Sequence, residues 1–189
     1  GICNQITPDR YFIYYTHFSP SPIDEKDSSW IELSFTKEKS DRAFVEYGIH
    51  AFQNLVNKPF VLEPEDVKTF YCEKELDTSI SVFSMLPHAH HLCKDMLVFA
   101  VTPKNDTIHL LKIDKWVFEW QWVYEFDSFV VLPKGTNIHF SATYDNRSIN
   151  PANPFHPAKT IQLSLNANDE MMTVFLQAVI YKKGDEKKK

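Results

Sequence analysis

The chain has 189 residues, a formal charge of −5, 43% hydrophobic residues and 14% aromatic residues. That length suits one large domain or two small ones with a real core, and the hydrophobic content excludes a disordered chain. The acidic balance argues against a nucleic-acid partner, and no apolar run of about 18 residues is present to cross a membrane as a helix. No signal peptide is legible at the start, as in a mature form or in a piece without one. Cys3, Cys72 and Cys93 do not make a disulfide framework; one pair with a leftover and three free thiols are both open.

Fifteen Phe, eight Tyr and four Trp against four Gly point to strands filled with aromatic side chains. In chain order, strands are expected over Tyr11–Thr16, Trp30–Thr36, Phe44–Phe52, Lys68–Glu73, Ile80–Leu86, Leu97–Thr102 and Ile108–Lys112. The clearest period of two follows, from Trp116 to Phe126, where Trp116, Phe118, Trp120, Trp122, Tyr124 and Phe126 alternate with Val, Glu and Gln. Asn137–Tyr144, Thr160–Leu165 and Thr173–Tyr181 complete the set. Turn clusters such as Ser19-Pro20-Ser21-Pro22 and Pro133-Lys134-Gly135 separate them. No segment carries a helical stripe over three turns, so the fold expected is all-β, an antiparallel jelly-roll β-sandwich. The closing 184–189 reads as a charged, frayed tail.

Chemistry concentrates in Pro87-His88-Ala89-His90-His91 at the end of a strand. In a strand, i and i+2 share a face, so His88 and His90 point one way and His91 the other. Paired imidazoles are half of a metal site for Cu, Zn, Fe or Ni; a solvated histidine cluster gives the same letters. A second element, Asp169-Glu170-Met171-Met172, opens the last strand. Met172, Val174, Leu176, Ala178 and Ile180 form a uniformly apolar face and read as core. Met171, Thr173, Phe175, Gln177, Val179 and Tyr181 form a mixed face, so Met171 is the ligand if either methionine is. A thioether beside two imidazoles selects copper, above all Cu(I), whereas zinc more usually recruits Cys or a carboxylate. Plain packing is the competing role for a methionine.

Taken in order, four motifs resemble the copper type II, ascorbate-dependent monooxygenases, the family of peptidylglycine α-hydroxylating and dopamine β-monooxygenases. Val82 to Leu92, with Pro87-His88-Ala89-His90-His91, resembles the family's His-x-His strand. Phe118 to Tyr124 resembles the aromatic strand of bacterial-type members, and Tyr144-Asp145-Asn146-Arg147 to Pro154 resembles their Tyr-Asp-Asn loop. Asp169-Glu170-Met171 resembles the segment that carries the thioether. The resemblance implies that His88, His90 and Met171 hold the catalytic copper on a jelly-roll domain spanning 41–183. It implies hydroxylation of a C–H bond of a small-molecule substrate by dioxygen, with ascorbate or another reductant as co-substrate. Arg10 to Phe18 resembles the end of the family's first domain, where a histidine ligates the electron-transfer copper. His17 is then a remnant of that site or an ordinary strand histidine, and 1–40 packs onto the main domain. The adjacent His pair of that site has no place before His17, so an upstream domain or other electron donor is implied.

The peptide-amidating branch holds a substrate carboxylate with Arg, Asn and Tyr at places that read Leu86, Thr173 and Phe175 here. Without the guanidinium and hydroxyl the charge-assisted hydrogen bonds are lost, which points to a non-carboxylate substrate. Copper and dioxygen chemistry fits a periplasmic or extracellular protein. Two other classes account for the same residues: a non-catalytic copper-binding module, and a jelly-roll interaction domain with a vestigial metal site. His50, His109, His139 and His156 read as surface or core-edge histidines. Cys93 reads as a small buried hydrophobe, with a soft extra ligand or redox thiol as the alternative. Asn105-Asp106-Thr107 and Asn146-Arg147-Ser148 fit the glycosylation triplet.

Overall fold

A computed structural model describes residues 42–187 without a break and, before them, 2–3, 6, 9, 11–13, 16, 21–37 and 40. Among the described residues, eleven strands and two single helical turns follow one another: β1 (Ile2–Cys3), β2 (Arg42–His50), α1 (Ala51–Asn54), β3 (Val61–Leu62), β4 (Val67–Glu75), β5 (Ile80–Ala89), β6 (Cys93–Val101), β7 (Thr107–Ile113), β8 (Tyr124–Leu132), β9 (Asn137–Asp145), β10 (Ile161–Gln162), β11 (Met172–Ile180), and a 3₁₀ turn at Asp185–Lys187. They form a five-stranded sheet in the order β1-β2-β11-β5-β8, a four-stranded sheet β4-β9-β6-β7 and the small pair β10-β3. Every pairing is antiparallel except the two-residue contact of β1 with β2. The alternation along each strand places Val82, Met85, Met172, Val174 and Leu176 of one sheet against Phe70, Val98, Phe140 and Tyr144 of the other in one core. The chain is therefore the all-β sandwich that its periodicity predicts.

One expected strand does not form, and a second shows none at its described positions. Trp30–Thr36 alternates well, yet it has no neighbouring strand, and its apolar side chains stay exposed, Trp30 at 84% and Phe35 at 78%. Tyr11–Thr16 shows no strand at its described positions 11–13 and 16. The aromatic run at Trp116–Phe126 becomes strand only from Tyr124 onwards. Its β5 ladder stops at Met85↔Tyr124, two residues short of Pro87, which has no N–H to offer a partner. Residues 116–123 instead turn back on themselves, with the Trp120 amide donating to the Val117 carbonyl at 3.0 Å. Thr160–Leu165 is likewise reduced to β10, because a turn begins at Ser164. The C-terminal segment differs as well: rather than fraying, it buries Asp185, which Arg42 Nη1 and Nη2 and Ser81 Oγ engage at 2.7, 2.7 and 2.6 Å.

Candidate metal centre

The register between β11 and β5 decides what meets at the open end of the first sheet. Thr173 lies opposite His88 and Met172 opposite Ala89, the last pair of the ladder, with His90 and Met171 following just beyond it. Directly opposed residues leave the sheet on the same face, with Cβ atoms about 5 Å apart. His88, His90 and Met171 line one open cavity of about 840 Å³. Met172, of opposite parity, is fully buried with its sulfur 3.9 Å from Cys72 Sγ. His91 departs from its expected direction. The strand ends at Ala89 and His91 sits in a turn, so its ring faces the same cavity and packs on Phe118 at 4.0 Å between centroids.

The two imidazoles stand nearly perpendicular, centroids 5.3 Å apart, and each Nδ1 is held. Gln121 Nε2 donates to the Phe118 carbonyl at 2.9 Å, which turns the amide oxygen toward His88. Oε1 then lies 2.5 Å from His88 Nδ1. The Asp169 carbonyl lies 2.8 Å from His90 Nδ1. Both partners are acceptors, so each Nδ1 carries the proton and the lone pair of the neutral ring sits on Nε2. This is the arrangement by which outer-shell acceptors orient metal-binding histidines.

The surroundings fix the backbone of these residues. Glu170 is 1% exposed and its carboxylate accepts the amide N–H groups of His90, Leu92 and Met171 at 2.9, 2.7 and 3.2 Å. Burial pushes its pKa up to about 8, against the pull of those three amides. Tyr144 Oη donates to the Met171 carbonyl at 2.7 Å, and Trp116 Nε1 donates to the His90 carbonyl at 3.1 Å. Pro154, from the loop that follows β9, and Leu165, Asn166 and Asn168, from the loop before β11, close the other walls.

Other expected positions fall elsewhere. Leu86, Thr173 and Phe175 share the histidine face, with Phe175 opposite Leu86 and Thr173 between His50 and His88, but they lie along the sheet from the cavity rather than in its wall. His50 is partly buried, its Nδ1 without a partner, and burial followed by the nearby Lys74 charge lowers its pKa. Cys72 and Cys93 are free and buried; burial pushes Cys72 up to about 12 and Cys93 well above the usual thiol range. Neither is a ready thiolate, and neither lines the cavity. The Cys3 side chain and His17 lie outside the described residues.

No model of a known protein family matches the chain, and no curated protein does either. The donor atoms alone therefore point to the kind of ligand. Among the described residues no three His, Cys, Asp and Glu side chains gather as a metal group. Two oriented imidazoles with a thioether in the wall of the same cavity fit a soft, electron-rich ion. Periodicity alone does not reveal Gln121, Asp169 or Glu170 as supports. The signals available were a lone amide between Trp120 and Trp122 and two acids directly before Met171.

Proposed function

We propose that this chain is the catalytic-copper part of a monooxygenase, in a jelly-roll-type domain, that hydroxylates a C–H bond of a small non-carboxylate molecule outside the cytoplasm. The observation that carries the reading is the convergence of His88, His90 and Met171 on one open cavity, with both Nδ1 atoms committed to acceptors. Copper bound there supplies one-electron chemistry toward dioxygen, with ascorbate or another reductant as electron source. Gln121 and the Asp169 carbonyl keep the two rings in the ligating tautomer. Phe118, Pro154 and Leu165 supply apolar wall beside them.

The test is copper loading under reducing conditions, followed by ascorbate-dependent oxygen uptake. Wild-type chain should bind one Cu(I), and X-ray absorption should record a copper–sulfur distance. Met171→Leu keeps volume and hydrophobicity, so it should fold normally while losing the sulfur signal and oxygen uptake. Unchanged sulfur scattering in that variant would sink the assignment. Copper retained without oxygen uptake, even with an added electron donor, leaves the non-catalytic copper-binding module.

Gln121→Ala gives a milder prediction. It frees the His88 ring without touching a ligand, and outer-shell losses of this kind weaken metal binding by roughly 10- to 100-fold. Competition against a chromophoric Cu(I) chelator measures that change. A loss below twofold would show that Gln121 does not orient the ring.

A further inference from the structure

The carboxylate of Glu170 does something that neither imidazole nor thioether can do alone: it ties their two chain segments together. Its Oε2 accepts from the amides of both His90 and Met171, and its Oε1 accepts from Leu92. The residue that holds is itself held. The Glu170 amide donates to the Gln162 carbonyl at 3.0 Å, and the Ser164 amide donates to the Glu170 carbonyl at 3.1 Å. Glu170 is thus anchored to β10 while its side chain reaches into the turn after β5. The neighbouring Asp169 carbonyl adds the contact to the His90 ring. His90 lies beyond the last ladder pair of β5 with β11, so the sheet does not set its distance from Met171. The carboxylate does.

We propose that Glu170 is a positioning residue that sets the spacing of His90 and Met171, so that thioether and imidazole converge on one copper ion; this rests on the copper reading above. A one-atom change tests it. Glu170→Gln keeps length and shape but turns an N–H donor toward at least one of three amide N–H donors. Glu170→Asp keeps the carboxyl group but falls a methylene short. Both variants should remain folded by circular dichroism and still take up Cu(II) through the imidazoles. Their Cu(I) affinity should fall by roughly 10- to 100-fold, and the copper–sulfur signal should be lost or lengthened. Asp185→Asn serves as a control destabilised at the other end of β5. It should keep the sulfur signal.

Wild-type affinity and sulfur scattering in Glu170→Gln overturn the inference while leaving the site assignment standing. An absent sulfur signal in the wild-type chain sinks both. Failure of both Glu170 variants to fold also overturns the inference, since the carboxylate would then be needed for the fold rather than for ligand spacing.

Discussion

Asn146→Asp is expected to destabilise the fold by at least about 3 kcal/mol, and to do so without changing side-chain volume. Asn146 is fully buried at the end of β9. Its Nδ2 donates to the carbonyls of Lys159, Glu63 and Leu62 at 2.8, 3.0 and 3.2 Å, and its Oδ1 accepts from Asn153 Nδ2 at 3.1 Å. One amide thereby joins the β4-β9-β6-β7 sheet to the β10-β3 pair and to the loop that walls the cavity. Aspartate replaces the donor by a second acceptor facing three carbonyl oxygens. Each buried group left unsatisfied costs roughly 1–3 kcal/mol, before any penalty for the new charge. Chemical denaturation measures the loss. Asn105→Asp is the matched comparison: Asn105 is exposed in a turn with φ 63°, a conformation aspartate tolerates, and surface changes of this type stay within about 0.5 kcal/mol. Equal effects at the two positions would refute the role given to Asn146. The same contacts rule out a glycan on Asn146 in the folded chain, although its triplet matches the acceptor pattern.

The ion pair between Arg42 and Asp185 should show the second large effect, with a pH signature. Asp185 has a fully buried side chain and Arg42 is 9% exposed. The guanidinium donates to both carboxylate oxygens at 2.7 Å and also to the Ile180 carbonyl. Hydrogen bonding by Arg42, aided by Ser81 and the Lys182 amide, holds the Asp185 carboxyl far below the usual carboxylate range despite burial. A depressed folded pKa means stability that is complete above the unfolded value near 3.9 and is lost as pH falls below it. Wild-type chain should therefore weaken progressively on acidification below about pH 4. Asp185→Asn removes one partner and leaves a buried guanidinium without its countercharge, which costs about 3–5 kcal/mol at neutral pH. The variant should also lose that part of the acid slope. Denaturation midpoints from pH 2 to 7 measure both. Parallel acid limbs in the two proteins would show that Asp185 is not the group responsible.

The two predictions probe one group beside each sheet and share a cause. Each concerns a polar group buried among elements far apart in the chain, where nothing but the native geometry supplies its partners. Side-chain volume and hydropathy, the quantities a strand pattern is made of, are nearly unchanged by either substitution.

What the linear chain determined by itself is set by parity. A side chain's face in a strand depends only on its odd or even position, so β5, β6, β9 and β11 were legible. Parity likewise separated Met171 from the core residue Met172 and paired His88 with His90. Tertiary structure decided whatever needs a partner. The alternating Trp30–Thr36 finds no sheet, Trp116–Val123 folds back beside Pro87, and His91 turns into the cavity once the ladder ends. Gln121, Asp169, Glu170 and Asp185 acquire their roles from groups far along the chain. A hydrogen bond is directional and pairwise, and its partner is chosen by register and loop path, whereas burial of an apolar face repeats locally every second residue.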